Sequence, residues 1–558
     1  ILGQLNFNPV SPSFEGLALF LAPLLFLARG VLKGKTKFIF LAFPLILLFL
    51  VDYTPAWMVL GLTSLLALAF LFLKNFKDKE GNFLGKNLTL ISFLVISTLG
   101  ISFNLNQLTP PALVGFPREV TLDHTTSWQI ARDSLLTRPL WGSGPGTFFF
   151  DFSRFRLASF NDDPLWQVRF DRPVSHMAEI LATMGILGLF SYLLLIVITI
   201  SSNFQFSIFN FQLNLNDSIY KRPLLLAFLA TVIGQFVYYQ NAVLGFSFWL
   251  LLGLIAGQTG QVKSWSLPGL FRFKLPNPNS LKRRVILAGS FLLFILVLLL
   301  VVFAGLRIYM ADFFYNQAFR SPSGDEKTAL LQKAVLTNPY FAEYQIILGR
   351  SLLNSANNFQ DLNLSTDAAK KATQLSPRWV AGWETLGLIY QEIQGLAVGV
   401  EEAGQPSFEK AIELEPTNPL LYSRLGKAFF AQDKFDEART QFEKARRLKP
   451  DLLEPKLYLA LIKEKKGDLL GATQNLAHLQ ELYPLNADAA FQLGRLYFNQ
   501  DQNDPAIQQF EKVLTLNPSH LDSLYSLALA FEKKGQKAPA LSYLEQALQI
   551  SPNNPTLI

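Results

Sequence analysis

Residues 285–308 read VILAGSFLLFILVLLLVVFAGLRI and run directly into Tyr309-Met310-Ala311-Asp312. The only charge in the stretch is Arg307, at its C-terminal edge. A helix needs roughly 20 apolar residues to cross a bilayer, so this stretch reads as a membrane span. On its N-terminal side further apolar runs recur. On its C-terminal side the chain turns charged, Gln/Asn-rich and helical in pattern. The overall 50% hydrophobic and 16% charged content therefore averages two unlike halves. No flexible linker follows the span, so the next helix is expected to continue it rigidly.

Toward the N-terminus, apolar segments at about 14–29, 38–51, 55–73, 88–105, 176–200, 223–239 and 243–259 complete a set of eight candidate spans. The first is short and carries Glu15; Asp52-Tyr53-Thr54-Pro55 reads as a tight hairpin between the second and third. Because cytoplasmic connections collect Lys and Arg, their distribution sets the orientation. Connections at 29–37, 74–87, 201–222 and 260–284 carry them, whereas 1–13, 52–54 and 240–242 have none. The first group is therefore inside, and the loop 106–175 and everything after 308 are outside. Basic residues that mark topology account for the net charge of +7 without nucleic acid. The absence of Cys excludes thiol catalysis, disulfides and Cys-based zinc sites, and the four His show no metal-ligand spacing. The chain opens on Ile, and further N-terminal spans are expected to precede it.

The outside loop and the span it enters hold the densest polar chemistry: TTSWQIARDSLLTRPLWGSGPGTFFFDFSRFRLASFNDDPLWQVRFDRPVSHMAEILATMGILGL, residues 125–189. The loop contains Arg118, Arg132, Arg138, Arg154, Arg156, Arg169 and Arg172 and no Lys. Arg presents a planar fork matched to phosphate oxygens and stays charged, which suits a lipid-linked diphosphate. The alternative is that these Arg pair with the loop's own acids, Glu119, Asp123, Asp133, Asp151, Asp162, Asp163 and Asp171. Arg172 and His176 stand at the entry to the fifth span, where Pro173 favours a helix start near 173 and Ser175 is an alternative cap. His176 reads as a general base or as a member of the interfacial belt. Glu179, one turn on, either orients His176 or bonds a neighbouring helix. Gly142, Gly144, Pro145 and Gly146 form a turn that permits positive φ and close backbone approach. No strand precedes it, so a nucleotide-binding reading fails. Trp128, Trp141, Trp166 and Phe148 to Phe150 fit an interfacial, partly membrane-lying loop or a sugar platform.

The pattern of Trp128 followed by Pro139-Leu140-Trp141-Gly142-Ser143-Gly144-Pro145-Gly146-Thr147-Phe148, then Arg172, His176 and Thr183-Met184-Gly185-Ile186-Leu187-Gly188-Leu189, resembles the O-antigen ligase and polymerase-type family over roughly residues 90–260. Pilin-type oligosaccharyl transferases resemble the same family. The resemblance implies a polytopic transmembrane helix bundle of the C-type glycosyltransferase architecture. Such an enzyme takes a glycan from an undecaprenyl-diphosphate carrier, without a metal or other cofactor, and passes it to a glycan or protein acceptor outside the membrane. It implies Arg172 and His176 as catalytic residues and Arg132, Arg138 and Arg169 as diphosphate ligands. Many members place His-Asn eleven residues before the first helix Gly. That count lands here on Val174 and Ser175, with His176 two residues later, and an Arg of the family falls at His124.

Beyond the eighth span, Pro416, Pro450, Pro484, Pro518 and Pro552 recur at a spacing of 34, with Pro339 and Pro377 at slightly longer intervals before them. A 34-residue period is the signature of the tetratricopeptide helix-turn-helix. In the copy at 419–452, Tyr422, Leu425, Gly426 and Phe429 line the first helix and Ala438, Phe442 and Ala445 the second. The copy at 487–520 repeats this, and an insertion around 391–406 lengthens another copy. About seven repeats are expected, the first degenerate. Their large and small residues are core, and the array offers a groove for a protein partner.

The expected protein is all-α. A membrane domain (1–308) carries the extracytoplasmic loop 106–175, and a tetratricopeptide α-solenoid follows (309–558). The expected location is the bacterial plasma (inner) membrane, with loop and repeats outside. The expected function is a glycan ligase with a docking tail; the alternatives are a membrane-anchored tetratricopeptide scaffold without catalysis and a glycan polymerase. A partner that is nucleic acid is not expected.

Overall fold

The computed structural model describes residues 14–32, 34–78, 83–105, 119–201, 205–207, 210–212, 221–258, 281–321, 323–356, 359–393 and 403–551. Among them, 23 α-helices are joined by one small antiparallel ladder, Gln205–Ser207 with Asn210–Gln212. Contacts group the chain into two units. One comprises 1–156 with 168–278, and the other 157–167 with 279–558.

The first unit contains α1 (Phe14–Val31), α2 (Gly34–Val51), α3 (Thr54–Asp78), α4 (Phe83–Leu105), α5 (His124–Thr137), α6 (Phe148–Phe155), α7 (His176–Ser201), α8 (Lys221–Val237) and α9 (Ala242–Gln258). Seven of the eight expected apolar segments are here as helices, the one at 176–200 interrupted at Gly185. They share a core in which Phe26, Leu48, Trp57, Phe93, Ile196, Phe228 and Phe248 meet. The opposite faces leave Phe38, Leu66, Phe190 and Phe246 open. The hairpin at 52–55 is present: Asp52 sits at φ 46 and its N–H closes on the Leu48 carbonyl at 3.0 Å.

The polar loop carries helices of its own. Asp123 caps α5 by accepting from the Thr126 N–H, and Ile130, Ala131 and Ser134 bury one face of that helix. A second short helix, α6, turns Phe148 and Phe152 inward. Phe148 is thus core rather than interface. The fifth span begins at His176, not near 173. Ser175 accepts the Glu179 N–H through its carbonyl, but its hydroxyl donates to Gln235 O (3.2 Å) and caps nothing.

In the second unit, α10 (Leu281–Ala318) is one uninterrupted 38-residue helix, as the missing linker implied. Then come α11 (Gly324–Thr337), α12 (Ala342–Asn354), α13 (Phe359–Leu375), α14 (Val380–Glu392), α15 (Gly404–Leu414), α16 (Pro419–Ala431), α17 (Phe435–Leu448), α18 (Leu453–Lys465), α19 (Leu469–Leu482), α20 (Ala487–Asn499), α21 (Asn503–Leu516), α22 (Leu521–Lys533) and α23 (Lys537–Ile550). They pack as seven successive pairs, the first made by the C-terminal part of α10 with α11. Helices α15, α17, α19 and α21 each stop two residues before Pro416, Pro450, Pro484 and Pro518. Proline disfavours helix in the residue before it, which places those ends. Pro552 and residues 394–402 of the expected insertion lie outside the described residues. Within a pair, a glycine lets an aromatic ring approach. A Cβ on Gly426 would lie 2.9 Å from the Phe442 ring, and one on Gly494 2.8 Å from Phe510.

Among the described residues three helices are long and apolar enough to cross a membrane, over Thr54–Leu73, His176–Ser201 and Ala288–Ala318. Shorter apolar helices cover Thr36–Val51, Asn87–Phe103, Arg222–Val237 and Ala242–Gly257.

Candidate functional site

The glycine turn and the fifth span form one interlocked element. Helix α7 is broken at Gly185, whose φ of 65 and ψ of −164 interrupt the ladder. The turn supplies the missing partners. Ser143 N–H donates to Ala182 O (3.2 Å) and Gly144 N–H to Thr183 O (2.8 Å). Beyond the break, Ile186 N–H donates to Pro139 O (2.9 Å) and Leu187 N–H to Leu140 O (3.2 Å). Backbone groups freed by a kink inside an apolar unit must find partners, and here a second chain segment provides them. Gly142 and Gly185 are required for different halves of the contact. A Cβ on Gly142 would stand 2.4 Å from the Thr183 carbonyl carbon, and one on Gly185 2.6 Å from Leu140 O. The turn is fastened on its other side by Ser143 Oγ, which donates to the buried carboxylate of Asp151 on α6. Pro145 and Gly146 project from it, exposed.

Arg172 lies just before α7. Its guanidinium is 4.6 Å from the centre of the Tyr239 ring, and its Nε and Nη2 donate to the two Asp171 oxygens at 2.9 and 3.0 Å. Burial pulls its pKa down, but the hydrogen bond and charge of Asp171, with Tyr239 and Glu119 behind it, more than offset that and raise it. Stacking and a bidentate carboxylate fix the fork's plane, as lysine would not.

Behind Arg172 is a carboxylate–phenol cluster. The Tyr238 and Tyr239 hydroxyls both donate to the Glu119 carboxylate. The Glu119 N–H in turn donates to Glu15 Oε1 (3.0 Å), while Glu15 Oε2 is buried with no hydrogen-bond partner among the described residues. Burial, then the hydrogen bond to Glu119, pushes the Tyr239 phenol up to about 12. Tyr53 is raised too, by burial first and then by Glu15 and Glu119. These residues come from four places in the chain. Glu15 was legible only as an awkward charge in a span, and Glu119 only as one loop acid among seven. The adjacent Tyr238 and Tyr239, at a connection without Lys or Arg, were the one unread signal.

His176 opens α7. Its N–H is held by Tyr238 O (3.1 Å) and its Nδ1 lies 3.1 Å from Glu179 Oε2. A tautomer with its proton on Nδ1 would donate to this carboxylate and leave Nε2 as the ring's acceptor. Glu179 therefore takes the orienting position. Tyr192 meets the imidazole edge-on at 5.7 Å and is itself tied to Gln235.

The remaining candidate arginines are not gathered by this cluster. Arg132 donates to its neighbour Asp133 (2.9 Å) with its side chain 66% exposed. Arg138 is the exposed C-cap of α5, and Arg169 is half-buried, three residues before Arg172. Local pairing with the loop's own acids is thus realised for Arg132 and Arg172. Among the described residues no group of three or more His, Asp or Glu is arranged to hold a metal.

In the repeats, first helices stack on one another: α12 on α14, α14 on α16, α16 on α18 and α20 on α22. Polar links join them. Arg350 donates to Thr385, Arg424 pairs with the buried Glu384, Lys427 with Glu454 (3.0 Å) and Arg495 with Glu464 (2.5 Å).

Comparison with known proteins bears on this second unit. A tetratricopeptide-repeat family model matches residues 491–555, and another matches 419–452. The chain carries tetratricopeptide repeats. No curated protein matches it. Similar solved structures include YrrB, described as a tetratricopeptide protein with an unusual peptide-binding site (23% identity, 34% of this chain and 96% of that one, TM-score 0.25). A tetratricopeptide protein from Parabacteroides merdae is similar at 15% identity over 46% and 96% of the two chains, TM-score 0.39. PilW, a type IV pilus biogenesis factor, is similar at 19% identity over 39% and 96%, TM-score 0.33.

Proposed function

We propose that the chain is a membrane-anchored docking protein whose repeat array holds a protein partner. The observation that carries this reading is the stack of first helices in a confirmed tetratricopeptide array, since such stacks form extended concave binding surfaces. Their polar links leave a mixed-charge face suited to a polar peptide segment. Anchoring is supported by α10, whose apolar stretch from Ala288 is entirely unburied within the structure, a surface water does not tolerate. In this reading residues 1–308 form the membrane domain and 309–558 the docking domain. The distribution of Lys and Arg supports an extracytoplasmic loop 106–175 and extracytoplasmic repeats at the bacterial plasma membrane. Photo-cross-linking from Arg350 and Arg495 in intact cells tests it. One partner captured from both positions, and not from Lys512 on a second helix, is the expected result. No capture from either position sinks the reading.

A second reading, glycan transfer, is favoured by the Arg172–Tyr239 stack beside the His176–Glu179 pair. An undecaprenyl-diphosphate glycan would be the donor and a glycan or protein outside the membrane the acceptor. His176 Nε2 would take the proton of the acceptor hydroxyl as its oxygen attacks the anomeric carbon. The bond from that carbon to the diphosphate oxygen breaks, and Arg172 would meet the leaving charge. Ligase and polymerase differ only in whether the acceptor is a growing chain of the same glycan. Transfer of labelled glycan in membranes, compared with Arg172→Ala and His176→Ala, decides the matter. Loss in both variants with the protein inserted supports transfer; no transfer by the native protein to any acceptor refutes it.

A further inference from the structure

Residues 157–167 come from the middle of the Arg-rich loop, yet their contacts place them in the repeat unit. The segment is internally turned: Phe160 N–H closes on Leu157 O (3.1 Å), Asp163 on Phe160 O (3.2 Å) and Trp166 on Asp163 O (3.1 Å). At its centre Asn161 is completely buried. Its Nδ2 donates to Thr417 O (2.9 Å) and to Leu448 O (3.1 Å), and its own carbonyl accepts from Lys449 Nζ (2.8 Å). The same ammonium lies 4.9 Å from the Trp166 ring and 3.1 Å from Asp451. Leu448 ends α17, so its carbonyl lacks an intrahelical partner and is an acceptor awaiting a donor.

The seat is built from two successive inter-repeat turns, and one of them is chemically unlike its sisters. The residue before the periodic proline is Lys449 here but Glu415, Tyr483, Asn517 and Ser551 in the other copies. Only this copy offers a cation to a backbone carbonyl and an aromatic face. A lysine that is 9% exposed among an acid, a carbonyl and a tryptophan is matched to its occupant.

We infer that the repeat array recognises a segment of its own chain: residues 157–167 are a built-in ligand of the turns at 415–418 and 448–451. The seat is made of the turns that lead into α16 and α18. It stands on the geometry of the repeat unit and on neither functional reading above.

Hydrogen exchange on the full-length protein tests it. In Asn161→Ala and in Lys449→Glu, protection of the Phe160, Asp163 and Trp166 amides should fall at least tenfold, while α20 to α23 keep theirs. Lys444→Ala removes another cation of the same repeat, 4.4 Å from the Tyr422 ring. It should leave the loop amides unchanged. As a second measurement, a synthetic peptide of residues 157–167 added to the Asn161→Ala protein should restore protection at the Lys449 and Leu452 amides. The same peptide with Asn161→Ala should not. Loop protection unchanged in both seat variants, equal loss in Lys444→Ala, or equal effect of the two peptides overturns the inference.

Discussion

Gly185→Ala should uncouple the glycine turn from the fifth span. The added Cβ would stand 2.6 Å from Leu140 O and 2.7 Å from Gly142 N, both backbone atoms that no rotamer change can move. Forced overlap of this kind costs about 1–3 kcal/mol. The residue also sits at φ 65, where a side chain costs a further 1–3 kcal/mol or so. Relief requires the two segments to part, which breaks the four hydrogen bonds across the kink. The combined cost of about 2–6 kcal/mol corresponds to a loss of amide protection of roughly 30-fold to somewhat over 10⁴-fold, at one decade per 1.36 kcal/mol. Hydrogen exchange in detergent, read at Ser143, Gly144, Ile186 and Leu187, measures it. Gly253→Ala is the control, because nothing lies within 4 Å of its Cβ position and alanine favours helix. Native-like protection in Gly185→Ala, or equal loss in Gly253→Ala, would refute the reasoning.

Phe442→Ala should cost about 3–5 kcal/mol in urea unfolding of the repeats, since it empties the space facing Gly426, and an m-value typical of the native protein should accompany it. Glu384→Ala should lower stability by about 2–3 kcal/mol by leaving the largely buried Arg424 short of its carboxylate; a change below a few tenths would mean that the pair is solvated. Tyr239 has a folded pKa of about 12 against about 10 unfolded. The native state therefore holds the proton more tightly, and the stability this adds is complete below pH ~10 and lost as pH rises through ~12. Ultraviolet titration of tyrosinate should lose a late-titrating component in Tyr239→Phe. Arg172→Lys should behave as a loss variant in whichever activity the cluster supports, because an ammonium cannot both stack on Tyr239 and engage Asp171 in two places.

What the sequence by itself determined were the features that repeat locally. Apolar runs of span length became helices, those of the first unit within about five residues of their expected limits, while α10 continues ten residues beyond its own to Ala318. The 34-residue proline period placed the ends of α15, α17, α19 and α21, because both signals depend only on a residue and its near neighbours along one helix. The loop's helices were missed for the converse reason. Helix α5 is specified by a cap and a short buried face, which a polar, Arg-rich composition hides. The site depended on pairs that no local pattern encodes. Gly185 meets Gly142, Glu119 meets Tyr238 and Tyr239 at a separation of about 120 residues, and Asn161 meets Leu448 at a separation of 287. Each meeting satisfies a backbone or carboxylate group that would otherwise be buried alone. Which partner answers that need is settled only when the helices have packed, so the tertiary structure alone decided it.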